Sequence, residues 1–124
     1  MAWTPPDPGA LRDAVRFERR PTLTGDGDGA GNFESDDWAV LISHRSCRLL
    51  PQRGGEQVQA ARLGGVDVWE LVCRSDSATR AVVVGDRAVD ERDPRRSWNI
   101  RSVLDLEGRG RWLVMTIERG GADG

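Results

Sequence analysis

The segment from Arg80 to Arg119 constrains the fold most. Short apolar runs there alternate with period two, and glycines cut them apart. We read strands at Arg80–Val84, Ser97–Leu106 and Arg111–Arg119, with Gly85-Asp86 and Gly108-Arg109-Gly110 as the breaks. In the middle run Trp98, Ile100, Leu104 and Leu106 share one parity with small Ser102, while Asn99, Arg101 and Asp105 take the other. In the last run Leu113, Met115 and Ile117 alternate with Trp112, Val114 and Thr116. A period of two describes a strand with one face in a core. Successive strands joined by tight turns describe a β-meander.

The upstream chain follows the same pattern. Leu11–Arg20 sets Val15 and Phe17 against Arg16 and Glu18, and Pro21 ends the run. In Phe33–Pro51, Trp38, Val40 and Ile42 share a face that continues to His44, with Leu41 opposite; this run is long enough to bend across two sides of a barrel. Val66–Arg74 is apolar on both faces, with Trp69, Leu71 and Cys73 on one and Val66, Val68 and Val72 on the other. Between these runs, Glu56–Leu63 is built of helix formers and bracketed by Gly54-Gly55 and Gly64-Gly65. It is expected to be a short helix or a flexible loop, serving either as a plain connection or as a segment hinged on its glycines. Asp90–Ser97 reads as a charged, proline-interrupted loop. The expected class is all-β: a small barrel of roughly six mostly antiparallel strands with one short helix or loop insertion.

The 124 residues suffice for one core. We expect a flexible arm over 1–10, the barrel over 11–119 and a disordered tail over 120–124. No apolar run reaches the ~20 residues of a membrane span, and no leader pattern opens the chain. A cytoplasmic protein away from membranes is expected.

All 18 basic residues are arginine, and the formal net charge is −2. A GC-rich genome accounts for the bias; the functional alternative is arginine's bidentate pairing at interfaces. Mixed charge argues against a large basic field that grips nucleic acid. It does not argue against a wall along which nucleic acid slides.

Cofactor and metal chemistry are not expected. Cys47 and Cys73 lack metal-ligand spacing and have only His44 to join them, so they read as buried free thiols. The glycine-rich Thr24–Asn32 carries Asp26-Gly-Asp28-Gly, but Ala30 stands in the third ligand slot of a calcium loop and Asp37 in the twelfth. It reads as a hairpin loop. No nucleophile elbow, phosphate loop or zinc-protease motif is present, and the lack of lysine removes Schiff-base chemistry. Asp36-Asp37 and Asp90-Glu91 are neighbours whose side chains diverge on a strand. The chain does not read as an enzyme. A barrel this small covers only its inside, so the outward Val66, Val68, Val72, Trp112 and Val114 are the candidate subunit interface, with a second copy as the simplest cover.

The order of particular residues adds to this. Leu11-Arg12-Asp13, Val15-Arg16-Phe17-Glu18-Arg19, a glycine-rich loop and Trp38 come first. Leu49-Leu50-Pro51-Gln52-Arg53-Gly54-Gly55-Glu56 and Gly85-Asp86-Arg87 follow. Trp98-Asn99-Ile100-Arg101-Ser102-Val103 and Gly110-Arg111-Trp112-Leu113 complete the set. This order resembles the head–tail joining proteins of tailed phages, prophages and gene transfer agents, also called head-closure or stopper proteins. The resemblance implies a cyclic ring of 6 or 12 copies. That ring would sit between the portal or adaptor on the head side and the tail terminator or tail tube, with packaged double-stranded DNA in its lumen. It also implies assembly in the bacterial cytoplasm and a final place in the particle neck. A loop that holds DNA in the channel is, by position, Gln52–Gly65. The candidate channel residues are Gln52, Arg53, Glu56, Gln57, Gln59 and Arg62. The competing reading is a solitary OB- or SH3-like barrel that binds single-stranded nucleic acid or peptide, with Trp69 and Trp112 as stacking residues.

Overall fold

The computed structural model describes residues 6–20, 38–52, 55–106, 108 and 110–120. The Thr24–Asn32 loop, the first five residues of the arm and residues 121–124 of the tail lie outside this set. Six strands follow in chain order: β1 (Asp13–Arg19), β2 (Ala39–Pro51), β3 (Val66–Arg74), β4 (Arg87–Asp90), β5 (Ser97–Leu104) and β6 (Trp112–Gly120). One helix, α1 (Glu56–Leu63), joins β2 to β3, and short 3-10 turns occupy Pro8–Ala10 and Thr79–Ala81. The strands form a closed barrel in the order β1-β2-β3-β6-β5-β4, every pairing antiparallel. The expected class is the observed one.

Phe17, Leu71, Trp98, Ile100, Met115 and Ile117 fill the interior, all fully buried. Their parity on β1, β3 and β6 is the one the alternation predicts. Cys47 lies directly opposite Cys73 across the β2–β3 pairing, and both are buried free thiols. Burial pushes the Cys73 thiol up to about 12, with Arg45 opposing. Burial also raises Cys47, and the neighbouring Cys73, Asp13 and Asp90 add to it.

Three expectations need correction. Arg80–Val84 is not a strand. Thr79–Ala81 is a 3-10 turn, Val82 is buried, and Val83 and Val84 are exposed. The fourth strand is instead Arg87–Asp90, a run with only Ala88 and Val89 as apolar residues. Its neighbours make it a strand: it pairs with β1 from Val15↔Asp90 to Glu18↔Arg87 and with β5 from Arg87↔Asn99 to Val89↔Ser97. The preceding turn is held by Asp86, whose carboxylate accepts the Val83 N–H at 2.9 Å and two Arg19 donors at 2.9 and 3.0 Å.

The second correction concerns β5. Ile100 pairs with Ile117, but Ser102 pairs with Thr116, so Arg101 is an extra residue in the ladder. This bulge reverses the parity beyond it. Val103 turns to the core, while Leu104 and Leu106 become exposed. The third concerns β2, where Val15↔Arg45, Phe17↔Ile42 and Glu18↔Val40 accommodate two extra residues. Ile42 stays buried, but Val40 and His44 face solvent, and the inward parity passes to Cys47 and Leu49.

At the other end of the meander, Gly120 (φ 100°) pairs with Val66, and a Cβ there would run into the Gly65 carbonyl. Only glycine lets the end of β6 pass so close to the turn that follows α1.

Replacing Asp86 by alanine strands a salt-bridged guanidinium and a turn N–H. Arg19 is 40% exposed and can rehydrate, so the expected loss is about 2 kcal/mol in urea denaturation. Arg95→Ala, whose pair lies on the surface, is expected to shift stability by less than ~0.5 kcal/mol. The raised thiol pKa values mean that the folded chain holds protons the unfolded chain releases above ~8.5. Their contribution to stability is full below that pH and declines as pH rises toward the folded values. The urea midpoint is expected to fall between pH 8.5 and 10.5, and to do so less in a Cys47→Ala/Cys73→Ala variant. Alkylation by iodoacetamide at pH 8.5 is expected to be slow until urea opens the barrel.

Candidate functional site

The helical insertion is the first candidate. Glu56 in the first turn and Arg62 in the last complement the helix dipole, and the Gly64 N–H closes the C-terminus on the Ala60 and Ala61 carbonyls. The helix lies against the outer wall of the barrel. Val58 and Ala61 line a groove of about 340 Å³ with Gln52, Val68, Thr116 and Glu118. Gln52 donates its N–H to the Val68 carbonyl at 2.8 Å, and Arg62 Nη2 donates to the Gln52 carbonyl at 3.1 Å. Among the candidate channel residues, Glu56, Gln59 and Arg62 are therefore exposed on or beside one helix, with Gln52 at its base. Arg53 and the side chain of Gln57 lie outside the described residues. Leu63 is 90% exposed, so the helix presents an unburied aliphatic group at its end.

The candidate interface residues separate into two groups. Val72, Trp112 and Val114 form a small cluster on the outside of the barrel, with Leu11 packed on it and the Arg74 guanidinium 4.8 Å from the Trp112 ring centre. They are buried within one chain. Val66 and Val68 are half-buried, Val68 beside α1. Besides Leu63, the described aliphatic groups most open to solvent were not singled out from sequence as an interface: Val40, Leu50, Val83, Val84, Leu104 and Leu106. The β5 and β2 bulges bring Leu104 and Val40 outward, and no residue pattern announces a bulge.

Charged groups on the outer wall are mostly paired. Glu18, 5% exposed, accepts Arg16 Nε at 2.7 Å and Arg87 Nη2 at 2.6 Å. Arg87 and Arg20 both lie over the Trp38 ring, at 4.3 and 4.8 Å from its centre. Trp69 packs on Trp98 with centroids 5.5 Å apart, and Arg96 sits 5.1 Å from both rings. The two tryptophans considered for base stacking are thus engaged within the chain. Asp76 accepts the Ala78 and Thr79 N–H groups, and its carboxyl is held below the usual range chiefly by the Thr79 backbone bond. These contacts build a turn. His44 Nδ1 lies 3.1 Å from Glu91 Oε1 at an exposed position. Among the described residues, no group of three or more histidine, cysteine or acidic side chains is placed to hold a metal ion. None of the described helices is long and apolar enough to cross a membrane.

The described residues thus form a filled barrel with an external helix and mostly paired surface charges. The chain shares its fold with a chain in the virion of a native gene transfer agent particle, with a TM-score of 0.56 and 19% identity over 87% of this chain and 93% of that one. No curated protein sequence matches it. A family model described as phage head completion protein matches residues 6–120. That span takes in all six strands and the helix, and the chain belongs to the phage head completion protein family.

Proposed function

We propose that this chain is a structural head-closure component in the neck of a tailed phage or gene transfer agent particle. Several copies form a ring there, joining the portal or adaptor to the tail, and packaged DNA passes through its centre. The family match carries the head-closure part of this reading. The packing of the barrel bears on the ring. Its interior is occupied by fully buried side chains, Trp98 and Phe17 the largest, so no strand of DNA threads a single barrel. Within this reading the channel lies between copies arranged around an axis. A heterologous contact repeated around a closed axis makes such a ring, and each subunit then needs two different contact faces. Exposed Val83, Val84, Leu104 and Leu106, together with half-buried Val66 and Val68, offer apolar area for them. The role is architectural rather than catalytic.

Within this reading α1 is the segment that faces the DNA. It is anchored on β3 and exposes Glu56 and Gln59, with Arg62 exposed beside them while bonded to the Gln52 carbonyl. Its charge is mixed, which suits a wall that must not trap a polyanion.

Two outcomes are expected. Mass spectrometry of purified particles made by the gene cluster that encodes this chain should detect it, and cryo-EM of the neck should show a ring of copies below the portal. Its absence from DNA-filled particles would end the proposal. A chain lacking Glu56–Leu63, with Gly54-Gly55 joined to Gly64-Gly65, should still enter particles but let packaged DNA escape. Leak-free particles bearing that deletion would remove α1 from the channel.

A further inference from the structure

We infer that the open cleft between the Pro8–Ala10 turn, the start of β1 and the β4–β5 loop seats a carboxylate-rich segment of a second copy of this chain. The inference rests on the ring reading and supplies one of its contacts. The cleft has a volume of about 650 Å³, and Arg12, Arg48 and Arg92 line it beside Leu49 and Leu50.

Arg12 and Arg92 are held in place by backbone rather than by opposite charge. Arg12 Nε donates to the Gly9 carbonyl at 3.3 Å, and Arg92 Nη2 donates to the Arg12 carbonyl at 2.8 Å. The loop carrying Arg92 is itself tied down. Asp90 N–H bonds to the Arg96 carbonyl at 2.9 Å, Glu91 N–H to the Ala14 carbonyl at 3.0 Å, and Arg92 N–H to the Asp90 carboxylate at 3.0 Å. Neither Arg12 nor Arg92 has a salt bridge among the described residues. Arg48 reaches Glu70 at 3.4 Å, and its Nε is buried without a hydrogen-bond partner there. Asp7 and Asp13 also line the cleft, but Asp13 already accepts the Leu49 N–H at 3.0 Å. The cleft therefore offers preorganised guanidinium donors, the geometry that carboxylates accept in bidentate pairs.

The occupant follows from the chain's own composition. Residues 21–37 contain five carboxylates, Asp26, Asp28, Glu34, Asp36 and Asp37, and no cation. They also carry Leu23 and Phe33, which suit the apolar floor where Leu50 is 44% exposed. This stretch joins β1 to β2 at the Arg19 end of the barrel, whereas the cleft lies at the Asp13 end. The length of β1, about 20 Å, separates the Arg19 end, where this stretch leaves the strand, from the cleft. An acidic stretch tethered at one end of the barrel and an arginine cleft at the other suit a head-to-tail contact, which is the heterologous kind a ring requires.

The test is a titration of a fluorescent synthetic peptide, Gly25–Asp37, against the full-length chain carrying Glu34→Gln, Asp36→Asn and Asp37→Asn, so that its own segment does not compete. Saturable binding is expected, at least tenfold weaker in the further variant Arg12→Glu/Arg92→Glu and weakened by added salt. Arg92→Lys, which keeps the charge but loses the planar fork, should bind more weakly than the native cleft and more tightly than the reversed one. If the double reversal fails to fold, Arg92→Ser alone gives the same reading. No saturable binding, or equal binding by the reversed cleft, overturns the inference. Displacement of the peptide by an equal concentration of duplex oligonucleotide also overturns it, because the cleft would then prefer phosphate. Particle incorporation separates this failure from that of the ring itself. If only the cleft contact is wrong, the native chain and Arg12→Glu/Arg92→Glu enter particles equally. If head closure is wrong, neither enters.

Discussion

The seam between β1 and β4 is the contact on which the structure depends. Without it the six strands are an open, curled sheet with two edges; with it they are a barrel with a dry interior. The seam is short, running from Val15↔Asp90 to Glu18↔Arg87, and it is reinforced from outside by charge. Glu18 gathers Arg16 and Arg87 along it, and Asp86 holds Arg19 where the chain enters β4. Asp90, also nearly buried, meets Arg96 at 3.4 Å at the other end. Isolated surface pairs contribute little to stability, but these carboxylates are almost fully covered and take more than one donor each. The two apolar residues of β4 are too few to select a partner by hydrophobicity alone.

Closure has a functional consequence. A barrel whose interior is packed with Trp98, Phe17, Met115 and their neighbours has no room for a ligand or a passing polymer. Whatever the chain does, it does on its outside. The outer wall carries α1 on β3, and the arginine-lined cleft lies at the Asp13 end of the barrel. For a member of the phage head completion family, these outer surfaces are the ones on which other components of a particle can be met.

The residue pattern was legible where side-chain parity was undisturbed. β1, β3 and β6 have clean alternation, and Val15, Phe17, Leu71, Cys73, Leu113, Met115 and Ile117 all face inward as their parity predicts. The helix bounds were legible because glycines stand on either side of a run of helix formers. The errors have one physical origin. A bulge residue has no chemical signature of its own, so Arg101 and the two extra residues of β2 reversed the predicted faces beyond them. The same reversal hid the exposed Leu104 and Val40 among presumed core residues. Conversely, Trp112, Val114 and Val72 alternate outward as read, but Leu11 and Arg74 reach round to cover them, and no local spacing reveals such long-range cover.

Local periodicity, turn residues and composition are enough to give five of the six strands, the helix and the sign of each undisturbed face, but not β4. The sequence also carried the family, through the order of short motifs along nearly the whole chain. Tertiary structure alone decided which weak segment became the closing strand, where the ladders slip, and which charges meet. Val83-Val84 is the more apolar sequence, yet Arg87–Asp90 pairs, because the Asp86–Arg19 turn turns the first aside and the β1 and β5 edges accept the second. The arginine cleft is of the same kind. Arg12, Arg48 and Arg92 are distant in the chain, and only barrel closure brings them to one surface.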